Sequence, residues 1–256
     1  MAQGVHPRIV NLARALHNNG MQRALLVLPI ILPVLFWAVY HYHKDRHLPE
    51  PPTHLLLALL LGLLAAGVSQ SLYVALEPLG LRHDAGYLAE TNTLGLLAYS
   101  LLAIGPIEEF SKMLFFVLVI LRFREFDEPL DGIIYASFIG LGYAAIENWQ
   151  YLEYLTPLQA TARGFASPVI HIVFASIWGH WIGRAFVAGR SILPATLIGF
   201  SIAALLHGLY DFMTLVQPYS ALPFAAALII AIWIWRLRVM RSLHRQAAAA
   251  ANKIER

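Results

Sequence analysis

Long apolar stretches, each close to the width of a bilayer, fill most of this 256-residue chain. They leave few folds open. About 20 apolar residues in a row make a helix that crosses a hydrocarbon core roughly 30 Å thick, and in lipid the backbone must satisfy its own hydrogen bonds. Candidate spans are residues 24–40, 54–76, 87–104, 106–123, 131–154, 168–188, 191–216 and 222–240, separated by Gly, Pro and charged residues. Composition agrees: 59% of residues are hydrophobic and 13% charged, where a soluble domain is about a quarter charged. The expected fold is an all-α polytopic membrane bundle of about eight transmembrane helices. Seven is the alternative, if the third and fourth spans form one helix kinked at Pro106. A basic segment (1–23) precedes one membrane domain (24–240), and a basic tail (241–256) follows it.

Several classes of function fall away early. There is no cysteine, so disulfides, thiolate metal sites and cysteine nucleophiles are absent together. The net charge of +3 comes from Lys and Arg at membrane edges, and no basic stretch with interleaved aromatics suggests nucleic-acid binding. The first apolar run follows Arg8, Arg14 and Arg23 but is long for a signal peptide and ends in Trp37, Tyr40 and His41. It reads as a retained helix.

Charge asymmetry sets the expected orientation. With eight helices and both termini cytoplasmic, 14 Lys/Arg lie inside and 3 (Lys44, Arg46, Arg163) outside, leaving out intramembrane Lys112. Merging the third and fourth helices leaves 12 against 5.

Ionisable residues inside the apolar runs carry the functional signal, because a charge at mid-bilayer costs about 2.5–3.5 kcal/mol even on lenient scales. Glu108, Glu109 and Lys112 interrupt one run, Glu147 a second, His171 a third, and His207 with Asp211 a fourth. At 1.5 Å per residue, Glu147 lies about 24 Å beyond Asp131, His207 about 24 Å beyond Ser191, His171 about 25 Å from Ala188 and Glu108 about 20 Å from Leu121. These reference ends share the side marked by Arg122, Arg124, Arg184 and Arg190. The groups therefore meet at one depth, in the outer half of the membrane.

Each motif has a plain reading beside the functional one. Glu108 and Glu109 open a helix behind Gly105-Pro106, and Lys112 is spaced to neutralise only one of them, leaving the other as a candidate base; the plain reading is a solvated acidic turn. Tyr143, Glu147 and Tyr151 recur every four residues, which suggests a carboxylate held by two tyrosines, with Asn148 alongside; the plain reading is a packing hydrogen bond. His207 and Asp211 share a helix face and can orient a substrate or move a proton; the plain reading is a capped helix end. His171 alone is weak. His41, His43, Asp45 and His47 read as a polar turn rather than a metal loop, and Trp178, Trp181, Trp233 and Trp235 as packing or interface anchors. His180 is a further candidate for the site but lies over two turns beyond His171, and Arg163 reads as an external loop charge, with orienting the site from above as its alternative.

Taken together, EEFSK at 108–112, GxxxxENxxY at 142–151, His171 ahead of Gly179, and HGLYD at 207–211 resemble the PrsW family. These are bacterial intramembrane proteases of the broader group that includes CAAX-processing endopeptidases and the Aph-1 subunit of γ-secretase. The resemblance covers about residues 100–215. It implies an endopeptidase of the bacterial inner membrane acting on membrane-anchored protein substrates, some members initiating release of anti-sigma factors. By similarity Glu108 is the base for water, Glu109 pairs with Lys112, Glu147 and His171 complete the water site, and His207 with Asp211 binds or polarises the carbonyl. Descriptions of the family differ on a metal. The chain has no HExxH, yet Glu108, Glu147, His171 and His207 are a ligand set that zinc accepts. Two other readings compete: a proton- or ion-coupled transporter, which predicts paired broken helices in related halves, and a non-catalytic scaffold of the Aph-1 kind.

Overall fold

The computed structural model describes residues 20–44, 49–216 and 218–254, and all regular structure among them is helical. The main helices are α1 (Gly20–Lys44), α2 (Pro52–Leu76), α3 (Ala85–Thr91), α4 (Thr93–Tyr99), α5 (Gly105–Leu118), α6 (Pro129–Tyr151), α7 (Pro157–Val187), α8 (Ile192–Leu215) and α9 (Leu222–Ile254). Five segments are long and apolar enough to cross a membrane: Pro52–Leu79, Pro129–Tyr151, Leu158–Val187, Ile192–Leu215 and Leu222–Ala247. Val27–His43 within α1 is apolar but shorter. Asp45 and His47 of the histidine-bearing turn lie outside the described residues.

The expected break at Gly105-Pro106 is not there. Residues 93–118 form one helical path of 7, 5 and 14 residues, with a π-helical turn (Ser100–Ile104) joining α4 to α5. That path is about 39 Å long at 1.5 Å per residue, enough for one crossing. The break falls instead at Asn92, whose backbone is non-helical (φ −151°, ψ 84°). The physical reason is the π turn: the Gly105 N–H reaches back to the Ser100 carbonyl, and this wider loop admits the ring of Pro106 without stopping the helix.

A second boundary also moves. Residues 156–167 read as a break between two spans, yet α7 begins at Pro157 behind a Thr156/Gln159 capping box and runs through Pro168. Arg163 therefore sits on a helix facing the bundle. The basic tail is likewise helical as far as Ile254.

Helices α6 and α7 are the most buried of the apolar spans and form the centre, while α9 lines the periphery. Contacts order the ends. His54, at the start of α2, lies 3.5 Å from Glu125 and stacks on Phe123 at 4.3 Å, beside Arg122 and Arg124. Tyr135 near the start of α6 donates to the Glu50 carboxylate, whose pKa burial pushes above the ordinary range. At the opposite end, Pro29 of α1 packs on Gly164 of α7. Arg236 of α9 is fully buried; its Nε donates to Ser176 Oγ (2.8 Å) and an Nη to Ser137 Oγ (3.0 Å). Both hydroxyls spend their own protons on carbonyls one turn back, so their lone pairs are free to tie α9 to α6 and α7.

Candidate active site

Close helix crossings bring the polar groups together. A Cβ on Gly105 would lie 2.2 Å from the Ala204 carbonyl oxygen, and one on Gly208 2.2 Å from that of Ser100. Only glycine permits this approach, and it sets the Glu108–Glu109 turn of α5 against His207 of α8.

Glu109 is fully buried and uses both oxygens. Oε1 accepts from Lys112 Nζ at 2.8 Å and from His207 Nδ1 at 2.7 Å; Oε2 accepts from Trp178 Nε1 at 2.8 Å. Lys112, also fully buried, makes a second bond to His171 Nδ1 at 2.9 Å and lies 4.3 Å from the Tyr143 ring centroid. Ammonium only donates, so His171 Nδ1 accepts and its proton resides on Nε2. That N–H donates to Glu147 Oε2 at 2.7 Å. Glu147 also forms an ion pair with Arg163 Nη (3.0 Å, on Oε1) and accepts from Ser167 Oγ (3.3 Å).

Glu108 differs from both neighbours. Its Oε2 is buried, lies 3.7 Å from Lys112 Nζ and 3.7 Å from His207 Nε2, and receives no hydrogen bond among the described residues. Asp211 Oδ2 is in the same position, 3.8 Å from His207 Nε2 with no donor. His207 stacks on Phe174 at 4.6 Å. With Nδ1 held by Glu109, its Nε2 faces two carboxylate oxygens. Glu108, Glu147, His171, His207 and Asp211 line one cavity of about 590 Å³, which extends outward past Gln150 and Tyr151 to residues 82–86.

All six residues singled out from the apolar runs, with Lys112, thus gather in one place. The expected clamp of two tyrosines on Glu147 does not form. Tyr143 donates to Ser69 instead, and Tyr151 lies under the Arg163 guanidinium, 3.8 Å from its centre. Asn148 is buried, its amide atoms without a hydrogen-bond partner among the described residues, and takes no part in the cluster. His180 stands apart, against Trp235. One participant escapes the sequence reading, Trp178, assigned there to packing; Arg163, read first as a loop charge, takes its alternative place beside Glu147. Trp178 is seven residues from His171, the spacing that returns to the same helix face.

The donor set can be tested for a cation. One ligand atom each from Glu108, His171 and His207 lies within 4.8 Å of the others. The orphaned oxygens of Glu108 and Asp211 converge on His207 Nε2, and Glu109 holds the opposite ring nitrogen, the arrangement that orients metal-ligating histidines. These residues fit a divalent ion such as zinc. His171 fits less freely, since Lys112 and Glu147 occupy both its nitrogens.

Comparison with known proteins agrees with this geometry. The model of the PrsW family intramembrane metalloproteases matches residues 50–236. A relative from Clostridioides difficile (strain 630), named Protease PrsW, is 29% identical over 81% of this chain and 87% of its own. Proteins of the same name from Oceanobacillus iheyensis (30% identical; 72% and 80% covered) and Bacillus subtilis (strain 168; 27%; 81% and 90%) are similar over comparable lengths. No solved structure matches. Four of the five candidate spans and the buried cluster fall within the matched region, and the chain belongs to the PrsW family of intramembrane metalloproteases, as an integral membrane peptidase.

Proposed function

We propose that this protein hydrolyses a peptide bond of membrane-anchored protein substrates, anti-sigma-factor-like proteins among them, in the outer half of a bacterial inner membrane. The observation that carries the reading is Glu108: a buried carboxylate oxygen with no donor among the described residues, facing His207 and Asp211 in a cavity shared with Glu147 and His171. Glu108 takes a proton from water as the water oxygen attacks the carbonyl carbon. It returns that proton to the amine as the C–N bond breaks. Glu109, saturated by three donors, fixes Lys112 and His207 rather than acting as a base. Glu147 orients His171, and Arg163 orients Glu147. His207 and Asp211 face the position of the substrate carbonyl. Glu108 and His207 would hold a zinc-like ion, joined by His171 once it releases its bond to Lys112, and such an ion when bound would supply Lewis acidity toward water and the carbonyl.

Reconstitution tests this directly. The purified protein in vesicles should cut a single-span substrate, with mass spectrometry placing the bond in the outer half of its span. Intact substrate would favour the transporter or scaffold readings.

The topology we infer departs from the sequence expectation of eight crossings. The unbroken path over residues 93–118 supports seven. So does the pairing of His54 with Glu125, which favours the α2 start lying on the side of Arg122 and Arg124. The site keeps its depth, and 12 Lys/Arg remain inside against 5 outside. The N-terminus is then outside and the C-terminus cytoplasmic. A periplasm-active reporter should work at the N-terminus and be silent after Arg256; silence at both ends would restore eight crossings.

A further inference from the structure

The outer end of α2 leads into a segment that the proposed chemistry does not use. The apolar span Pro52–Leu79 is 28 residues long, enough to cross a bilayer and reach its edge. Gly80 turns the chain with φ +66°, a conformation that side-chain-bearing residues resist, and the Leu81 N–H closes the turn on the Leu76 carbonyl. Residues 82–86 then roof the cavity that holds Glu108 and His207, and α3 follows, ended by the second non-helical joint at Asn92.

The two sides of this segment differ. Inward, Ala89 is buried and the His83 ring meets Tyr99 edge-on at 5.3 Å. Outward, Leu79 (67%), Leu81 (53%), Tyr87 (66%) and Leu94 (75%) are exposed. That apolar strip continues the face of α2 formed by exposed Leu60, Leu64 and Val74, which in a membrane span meets lipid. Leucines and a tyrosine just beyond a span's end belong at the boundary of headgroups and acyl chains. Its attachments to the rest of the bundle are sparse, and its polar pair, Arg82 with Glu77 at 2.8 Å, is internal to it.

We propose that residues 77–91 form a lid over the active-site cavity whose outward face is seated in the outer leaflet, so that a substrate chain enters beneath it from the membrane. The entry role rests on the protease reading above; the seating does not. Gly80 and Asn92 are the hinges, and the lipid surface holds the lid where a membrane-anchored chain can pass under its edge.

The absence of cysteine makes single-site labelling clean. Leu81→Cys, Tyr87→Cys and, as an aqueous reference in the polar tail, Lys253→Cys would carry nitroxides in phosphatidylcholine/phosphatidylglycerol vesicles, with depth read from oxygen against water-soluble nickel relaxation. The expected result is positions 81 and 87 in the leaflet and 253 in water. Equal nickel access at all three overturns the seating. A Leu81→Glu/Tyr87→Glu protein should cleave a membrane-anchored substrate about tenfold more slowly while cleaving a short soluble peptide of the same scissile sequence at the wild-type rate, as expected if the lid limits access rather than chemistry. Equal effects on both substrates overturn the entry role. If the wild-type protein cleaves neither, the protease reading fails, and the depth measurement still decides the seating.

Discussion

Glu109→Gln should unfold this protein more readily than any other single change in the cluster. The wild-type carboxylate accepts from Lys112, His207 and Trp178 at 2.7–2.8 Å. A glutamine amide offers one acceptor oxygen and turns an NH₂ toward a group that itself donates. At least one donor is stranded, and Lys112 becomes a fully buried cation with its nearest carboxylate, Glu108, at 3.7 Å. Removing one partner of a buried pair costs about 3–5 kcal/mol, a large part of the roughly 5–15 kcal/mol that holds a domain together. Thermal melting in detergent should show the loss. Replacing Lys112 by Met in the same protein should restore much of the melting temperature without restoring hydrolysis. An unchanged melt in the single variant would mean that Glu109 does not anchor the site.

The parts of this fold that sequence reveals are those governed by bilayer thickness. The runs at 54–76, 131–154, 191–216 and 222–240 appear as α2, α6, α8 and α9 with ends shifted by a few residues or, for α9, extended into the tail. The misreadings have one cause, the treatment of proline as a stop. Pro106 follows a π turn and Pro168 lies inside α7, and neither adjustment has a compositional signature. One error produced a false break between α4 and α5. The other hid Arg163 in a supposed loop, away from its partner Glu147.

The candidate site was legible because charged residues in lipid are costly enough to be purposeful. Matching depths on four helices could be computed from rise per residue alone. Which oxygen faces which nitrogen could not. The division of labour between Glu108 and Glu109 depends on the rotation of α5 against α7 and α8, set by Gly105 meeting Ala204 and Gly208 meeting Ser100. Trp178 was lost to a sound generalisation about tryptophan at interfaces; its depth, seven residues beyond His171, was the contrary sign.

Glu108→Gln isolates the chemistry from the architecture. Glu108 Oε2 accepts no hydrogen bond among the described residues, and the Lys112 and His207 nitrogens nearest it stand 3.7 Å away, so the isosteric amide should disturb packing little. It removes the one carboxylate assigned to take the proton of water, and loss of a general base lowers rates by about 10²–10⁴-fold. A loss confined to kcat, with substrate binding retained, would place the effect in the transition state. The deciding measurement is the single-turnover cleavage rate of a membrane-anchored substrate in vesicles, wild type against Glu108→Gln, with matched melting temperatures. A fall of two or more orders of magnitude is the predicted result; a wild-type rate in the variant would contradict a glutamate-activated water at this site.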